Sequence, residues 1–268
     1  MTVVLAGRVV GSVDRAHLQA LAAWPQWLRV GAEQVELIAD DRDTALASIN
    51  TRLHQAGLIR GWRNESFALL DPHSGQRCAR IERAACRFWG TLTLGAHANG
   101  YVADAQGRPT HLWIARRSAS KATDPGLLDN LIGGGVADGQ SPHQALVREG
   151  WEEAGLSPQQ LEPALPGRVL RLQRDITEGL QLEDLYTFDI RMPAHLQPVN
   201  QDGEVAGFEC LPVQQALEAA AGAGMTVDAA LVTLDFALRH RLLEPATADL
   251  LSPLLPLLPL LPLLPSRS

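Results

Sequence analysis

The stretch between residues 134 and 156 constrains this chain more than any other. Three carboxylates, Glu149, Glu152 and Glu153, lie within five residues of each other. On a helix that turns about 100° per residue, all three share one side, and small or aliphatic residues occupy the other. Carboxylates at this spacing repel each other unless a cation lies among them, and Mg²⁺ prefers such oxygen ligands. The pattern therefore predicts a helix with a solvent-facing, metal-binding acidic side.

Both ends of this helix are also encoded in the sequence. Ser141 is a good N-cap, Pro142 suits the first helical position, and Gln144 completes a capping box. Gly155 stands where a left-handed residue commonly ends a helix. We therefore predict a helix from Pro142 to Ala154. The run 133–135, three glycines, is predicted to be a flexible loop whose backbone amides can approach an anion.

The full string resembles the Nudix box, G-x5-E-x7-R-E-U-x-E-E-x-G-U, where U is a bulky aliphatic residue. Seven of the nine specified positions match, from Gly134 to Leu156. Gln140 replaces the first Glu and carries no charge, which weakens any ligand role there. Gly150 replaces an aliphatic residue and costs roughly 1 kcal/mol of helix propensity relative to Ala, although it allows close packing.

The resemblance implies a metal-dependent enzyme that cuts diphosphate linkages. Matched by position, the metal site would comprise Glu149, Glu152, Glu153 and Gly134, with Mg²⁺ or Mn²⁺ as cofactor. Arg148 would orient the carboxylates, and Glu152 and Glu153 would also be catalytic. Nudix enzymes often bring a further acid from a loop beyond the box, so Glu204 competes with Glu153 as the proton acceptor. The alternative for residues 202–203 is a plain turn.

Segments outside the box are similar to the Nudix subgroup associated with thiamine pyrophosphokinases, whose members carry an extra N-terminal domain. This subgroup is thought to hydrolyse damaged oxo and oxy forms of thiamine diphosphate. The similarity extends from about residue 82 to residue 205. The segments that carry it are 97–101, 112–118, Lys121, Thr123, 125–126 and 128–130.

Basic and polar residues before the acidic helix are candidates for binding the diphosphate. Arginine can grip phosphate oxygens in a bidentate way, whereas lysine offers a point charge. The alternative is a basic strand end exposed to water, and His97 could equally be structural. Residues 99–100, Asn-Gly, favour a turn or bulge. The candidate substrate-binding residues are Arg116, Arg117, Lys121, Asn130 and His97.

Hydrophobic periodicity divides the chain into three parts. Residues 1–90 are predicted to form a small α+β domain, residues 91–245 the Nudix domain, and residues 246–268 a Pro/Leu-rich tail. Strands flanking a central helix, with further helices at the end, fit the α/β/α sandwich with a mixed sheet that the resemblance implies. The tail has Pro at every third position from Pro253 to Pro265. This pattern excludes a regular helix and favours a disordered or surface-packed segment, with partner docking as the alternative.

Composition limits the remaining functions. The 268 residues carry a net charge of −7 with no strongly basic stretch, which argues against nucleic-acid binding. Three cysteines show neither metal spacing nor a disulfide framework, and the N-terminus lacks a signal-peptide pattern, so we expect a cytoplasmic protein with no membrane partner. The expected partner is a small-molecule diphosphate substrate, and a homodimer is left open. Rival functions are a Nudix hydrolase of nucleotide-sugar, dinucleotide or coenzyme A diphosphates, and a non-catalytic diphosphate-binding module.

Overall fold

The computed structural model describes residues 1–255. The Pro-rich repeat predicted for the tail lies mostly beyond them. Within the described residues, none of the helices combines the length and apolar character needed to cross a membrane. The chain divides into two compact units. The first comprises Met1–Leu94, Val136–Gln140 and Leu172–Asp184, and the second comprises Gly95–Gly135, Ser141–Arg171 and the chain from Leu185 onward.

Strands and helices alternate along the described chain. The strands are β1 (Thr2–Leu5), β2 (Arg8–Ser12), β3 (Leu28–Val30), β4 (Gln34–Leu37), β5 (Ser66–Leu70), β6 (Arg77–Glu82), β7 (Leu92–Ala103), β8 (Pro109–Arg117), β9 (Leu128–Asp129), β10 (Ile132–Gly135), β11 (Leu165–Ile176), β12 (Gly179–Arg191) and β13 (Val205–Pro212). The helices are α1 (Leu18–Leu21), α2 (Arg42–Gln55), α3 (Ala85–Trp89), α4 (Pro142–Ala154), α5 (Pro158–Leu161), α6 (Val213–Ala221), α7 (Val227–Arg239) and α8 (Pro245–Leu251). A 3-10 turn, Arg15–His17, precedes α1.

The first unit is an α+β arrangement. Strands β2, β1, β4 and β3 form a four-stranded sheet in that order, in which β1 pairs with β4 in parallel and with β2 in antiparallel fashion. Strands β5 and β6 form a separate hairpin. The apolar side of α2, including Leu46, Ile49 and Leu53, is buried in the core of this unit. Residues 15–21 form only the 3-10 turn and the short helix α1.

The main sheet has seven strands, with the order β11-β12-β7-β8-β13 and with β10 and β9 paired to β7 and β8. Alternate residues of β8 point to opposite faces. Leu112 and Ile114 pack into a core formed with α6 and α7, which includes Ala216 and Phe236. The sheets and helices confirm the predicted α/β class with an N-terminal α+β part. The division at residues 90 and 245 stays a prediction.

Helix α4 has the bounds predicted from its caps. The Ser141 side chain accepts from the backbone N–H of Gln144, and the Gln144 side chain accepts from the backbone N–H of Ser141, so both halves of the capping box are present. Gly155 ends the helix in the left-handed region, with φ of 65°. Local hydrogen bonds thus fix where the acidic helix begins and ends.

Two expectations about glycines were wrong. The glycine run 133–135 is not a loop, because it belongs to β10 and pairs with residues 95–97 of β7. Residues 99–100 are not a turn, because both lie buried inside β7, where Gly100 pairs with Trp113 of β8. Gly100 instead allows close packing, because a Cβ there would overlap the Leu131 side chain. Asn99 is buried as well and donates to the Val232 carbonyl at 3.4 Å.

Candidate active site

The acidic helix α4 lies against β10, and this contact forms the centre of the site. Glu149 and Glu153 are only 7% and 5% exposed, so the expectation of a fully solvent-facing acidic side was wrong. Glu152 is half-buried, and the solvent-facing position is taken by Trp151. The reason is that the glycines of β10 leave room for carboxylates between the strand and the helix.

Gly134 makes that room for Glu149. A Cβ at Gly134 would overlap the Cγ, Cδ and Oε1 atoms of Glu149. Gly133 is less tightly packed, because a Cβ there would lie 3.0 Å from the His97 Cε1 atom, a contact that a small shift of the ring relieves. A backbone without a side chain is therefore required at Gly134, where Glu149 packs.

Glu153 is held in place by one amide and one ammonium group. The backbone N–H of Gly133 donates to its Oε2 at 2.9 Å, and Lys121 Nζ lies 3.7 Å from its Oε1. Burial, followed by the negative charges of Glu149 and Asp129, raises the pKa of Glu153 to about 8 from its ordinary value of 4.5. Crowded buried carboxylates of this kind are stabilised by an added cation.

Arg148 bridges the other two acids of the helix. Its Nη2 lies 2.8 Å from Glu149 Oε1, and its Nη1 donates to Glu152 Oε2 at 2.9 Å. The same guanidinium donates to the Gly135 carbonyl at 3.1 Å, which ties α4 to β10. Arg148 thus fixes the orientation of two carboxylates at once.

Lys121 lies in a loop that precedes α4 in the sequence, and Glu204 lies in a loop that follows it. Lys121 forms ion pairs with both Glu153 and Glu204, and its side chain is 9% exposed. Residues 200–204 do form a turn, in which Asn200 Oδ1 accepts from the Gly203 N–H at 2.6 Å. The turn also brings the Glu204 carboxylate to the lysine of the acidic cluster, and the role of Glu204 as proton acceptor stays a prediction.

The remaining predicted substrate contacts have different surroundings. Arg117 donates to Asp129 Oδ2 at 2.7 Å and to the Thr123 carbonyl. Arg116 is exposed on the opposite face and lies 3.3 Å from Glu209. These guanidinium groups are therefore not brought together as a pair.

His97 and Asn130 are buried and bonded to each other, with 3.1 Å between His97 Nδ1 and Asn130 Oδ1. The Asn130 amide also donates to Asn99 and Thr233, at 3.3 and 3.2 Å. This network fixes β7 to α7. The place of His97 and Asn130 in this network supports a structural role for both, and their contact with the substrate stays a prediction.

Sequence reasoning missed Asp129. Its carboxylate accepts from the Asn130 N–H at 2.9 Å, pairs with Arg117 and contributes to the raised pKa of Glu153. It belongs to the 128–130 segment that carried the subgroup resemblance, but no spacing rule linked it to the helix. The register of β8 with β9, in which Ala115 faces Asp129, is what brings it to this cluster.

The donor set fits a divalent cation. Glu149 and Glu153 supply buried carboxylate oxygens, and Glu152 lies one turn away on the same helix. Among residues 1–255, no group of three or more His, Cys, Asp or Glu side chains is arranged to hold an ion alone. Mg²⁺ commonly binds to one or two carboxylates and completes its shell with substrate phosphates and water, so this incomplete protein shell suits it.

Comparison with known proteins decides the family. The model of the NUDIX domain matches residues 93–229, just over half of the chain. The chain belongs to the Nudix family. The N-terminal region, residues 1–93, matches a domain of unknown function, DUF4743.

Two Arabidopsis thaliana proteins are similar to this Nudix chain along most of its length. Nudix hydrolase 20, chloroplastic, is 36% identical over 212 residues, which are 78% of this chain and 56% of the relative. Nudix hydrolase 24, chloroplastic, is 36% identical over 208 residues, with 77% and 56% coverage. The chain therefore spans just over half the length of these relatives. The crystal structure of DR0079 from Deinococcus radiodurans is 25% identical, covers 63% of this chain and 97% of that chain, and has a TM-score of 0.48.

The two departures from the Nudix box have different structural consequences. Gly150 allows α4 to pack closely, because a Cβ there would lie 2.6 Å from Leu161 Cδ1 and 3.1 Å from Ile132 Cδ1. Leu161 and Ile132 thus fill the space of the missing aliphatic side chain. Gln140 is half-buried, and its Oε1 atom has no hydrogen-bond partner within residues 1–255.

Proposed function

We propose that this chain hydrolyses a diphosphate linkage in a small molecule with the help of Mg²⁺ or Mn²⁺, and that the substrate is thiamine diphosphate or one of its oxidised analogues. The buried carboxylates of Glu149, which packs on the bare backbone of Gly134, and of Glu153, which accepts from the Gly133 N–H, carry the proposal. Two acids that raise each other's energy inside a protein need a functional reason to be there, and a bound cation provides it.

Each residue of the cluster has a role in this proposal. Glu149, Glu152 and Glu153 hold the cation, beside the backbone of Gly134, and Arg148 orients Glu149 and Glu152. The chemistry that such a cation supplies when bound is neutralisation of the diphosphate and a lower pKa of a coordinated water. Glu204 accepts the proton of the attacking water, since Glu153 is committed to the cation. Lys121 carries the positive charge that holds Glu204 next to the cluster.

Further residues are proposed to bind the diphosphate oxygens. Lys121 and Arg117 lie on the same side as the acidic cluster, because both pair with its carboxylates. Arg116 lies on the opposite face and pairs with Glu209, so we leave it out of the diphosphate site, and His97 and Asn130 position the backbone of β7. We also propose that the Nudix domain begins after residue 90 and ends at residue 245.

The substrate assignment is supported by the segments outside the box, which resemble the thiamine pyrophosphokinase-associated subgroup, and by the extra N-terminal region. The experiment is a phosphate-release assay with Mg²⁺ that compares thiamine diphosphate and its oxo and oxy analogues with ADP-ribose, a dinucleotide and coenzyme A. We expect the thiamine compounds to have the highest kcat/KM. A preference for a nucleotide compound by tenfold or more would reject the substrate assignment while keeping the reaction class.

A non-catalytic diphosphate-binding module is the second candidate, and Gln140 favours it. The family has a glutamate at this position, whereas this chain has an uncharged side chain whose Oε1 lacks a hydrogen bond within the described residues. Binding of thiamine diphosphate with Mg²⁺, without phosphate release from any compound of the panel, would select this candidate.

Location and assembly remain proposals of a more general kind. Cys78, Cys86 and Cys210 are free thiols, which suits a reducing compartment, and we propose the cytoplasm. The Arabidopsis relatives carry the designation chloroplastic, so a fluorescent fusion in the source cell is the test. Light scattering during size-exclusion chromatography tests for a homodimer.

A further inference from the structure

The segment that joins β10 to α4 belongs to the first compact unit, although the strand and the helix themselves belong to the second. We call this segment, residues 136–140, the box connector. It contains no helix or strand, and its turn is closed by the Gln140 N–H, which donates to the Ala137 carbonyl at 3.0 Å. Asp138 occupies one of the five unspecified positions between Gly134 and Gln140, so the Nudix box assigns it no role.

Backbone hydrogen bonds attach the box connector to the rest of the first unit. The Val136 N–H donates to the Leu94 carbonyl, and the Asp138 N–H donates to the Ser66 carbonyl, both at 2.8 Å. Ser66 begins β5, the strand that pairs with β6. The connector is therefore bonded to the hairpin of the N-terminal region.

Arg77, on β6 of the same hairpin, binds the side chain of Asp138 with two hydrogen bonds. Its Nε donates to Asp138 Oδ1 and its Nη2 donates to Asp138 Oδ2, each at 2.8 Å. Most exposed ion pairs contribute little to stability, but a bidentate pair of guanidinium and carboxylate is geometrically specific. The Asp138 side chain is only 16% exposed, and its hydrogen bonds with Arg77 hold the pKa of this carboxyl below its ordinary value. The pair is thus charged at neutral pH and fixed in orientation.

Helix α2 in turn orients Arg77. Asp43 Oδ2 lies 3.7 Å from Arg77 Nη2, and Asp43 Oδ1 accepts from the Arg80 N–H at 2.7 Å. The guanidinium therefore lies between two carboxylates, one from the first turn of α2 and one from the box connector. The position of Arg77 is thus determined by helix and strand residues of the first unit.

Both ends of the box connector continue directly into the acidic cluster. Asp138 is three residues from Gly135 and three residues from Ser141. The Gly135 carbonyl accepts from Arg148, and Ser141 is the N-cap of α4. Three residues span at most roughly 10 Å, so a connector that is fixed at its centre restricts where both of its ends can lie. A shift of Asp138 would therefore change how α4 lies against β10.

We propose that Arg77 is a positioning residue for the acidic helix: through Asp138 it fixes the box connector, and the connector keeps the carboxylates of α4 in place beside β10. The N-terminal region, which matches a domain of unknown function, then has a part in the Nudix site. The inference rests on the proposed function for the cation that these carboxylates hold. It goes further because it gives a role to two residues outside the specified positions of the box.

A Mn²⁺ titration of the full-length protein measures the effect on the carboxylates. We expect Arg77→Gln and Asp138→Asn each to weaken the Mn²⁺ affinity by about fivefold, the equivalent of one well-formed ion pair. Since the two residues act as a pair, the double variant should bind no more weakly than either single variant. Arg77→Lys keeps the charge but loses the bidentate geometry, so its affinity should lie between those of the wild type and Arg77→Gln.

Arg29→Gln is the matched control, because Arg29 pairs with Glu36 at 2.6 Å within the same unit. It should bind Mn²⁺ as the wild type does. All proteins are titrated below the onset of their thermal unfolding, so that a loss of stability alone leaves the affinity unchanged. If Arg77→Gln does not fold, Arg77→Lys and Asp138→Asn provide the comparison.

Hydrogen exchange tests the same role without a metal. In EDTA, peptides that cover residues 136–146 should exchange about fivefold faster in Arg77→Gln and Asp138→Asn than in the wild type, because the pair no longer opposes local opening there. Peptides of α7 should exchange at the same rate in all three proteins. Peptide mass spectrometry of the full-length protein gives both rates.

The two proposals fail in different ways. Faster exchange of residues 136–146 in the variants, with no Mn²⁺ binding by the wild type, would reject the proposed cation site and keep Arg77 as a positioning residue of α4. Mn²⁺ binding of equal affinity in the wild type, Arg77→Gln and Asp138→Asn would overturn the role of Arg77 and keep the cation site. Unchanged exchange of residues 136–146 would also overturn that role, because the box connector would then be held without the pair.

Discussion

Replacement of Gly134 by alanine tests whether the bare backbone of β10 is required for the acidic cluster. The added Cβ would lie closer than 3.0 Å to three side-chain atoms of Glu149, including Cγ, so rotation of the carboxylate tip cannot relieve the overlap. Restoring an ordinary contact of at least 3.4 Å displaces the carboxylate atoms, which would lie only 2.1 Å from the added Cβ, by about 1.3 Å. A displacement of this size at a reacting centre lowers the rate on the order of 100-fold.

The assay is phosphate release from thiamine diphosphate at saturating Mg²⁺, with thermal unfolding measured in parallel. We expect a destabilisation of roughly 1–3 kcal/mol from overpacking, so Gly134→Ala should stay folded while its kcat falls. Gly224→Ala is the matched control, because a Cβ there meets no atom within 4 Å. If Gly134→Ala retains its rate within threefold of wild type, the assignment of Glu149 as a cation ligand is refuted.

Three further outcomes are expected. The pKa of Glu153 is raised to about 8, so its charged form is destabilised in the folded protein. The metal-free protein should therefore lose stability as the pH rises from 4.5 to 8. Urea unfolding in EDTA measures this loss, and Glu153→Gln should remove it. An identical pH dependence in both proteins would contradict this. Gln140→Glu should tighten the apparent Mg²⁺ affinity or raise kcat, whereas weaker binding with a lower rate would indicate adaptation to a neutral residue. Because Leu255 is buried, the C-terminal tail is best truncated directly after it. The truncated protein should keep kcat within about threefold of the wild type, a barrier change of roughly 0.7 kcal/mol. A hundredfold loss of kcat in a folded, monodisperse protein would mean that the tail reaches the site.

Elements with strong local signals could be predicted from the sequence alone. Helix α4 has its predicted bounds because a capping box and a C-terminal glycine act within a few residues of each other. The interactions that fix this helix are therefore close in sequence.

Elements that depend on distant partners were missed. The glycines of β10 carry no strand propensity, and only their pairing with β7 makes them a strand. The buried state of residues 99–100 likewise depends on Leu131 and on Val232, and Val232 is separated from Asn99 by 133 positions in the sequence. Asp129 joined the cluster through the register of β9. No pattern within a short window contains this information.

The candidate site also combines features that nearby residues determine with features that depend on distant residues. The helix periodicity predicted three acids on one side of α4, but it did not reveal that Glu149 and Glu153 are buried. Burial depends on the room left by Gly134 and on the amide of Gly133, both supplied by a different strand. The ion pairs of Lys121 with Glu153 and Glu204 join three segments that are separate in sequence.

A titration with Mn²⁺ tests the central claim most directly, because the paramagnetic signal of free Mn²⁺ decreases as the ion binds to the protein. We expect the wild type to bind Mn²⁺, and Glu149→Gln and Glu153→Gln each to weaken the affinity by about tenfold or more. Glu218→Gln, an exposed acid on α6, should bind as the wild type does. Equal Mn²⁺ affinity in the wild type and in both site variants would contradict the claim that the buried carboxylates of α4 hold the catalytic cation.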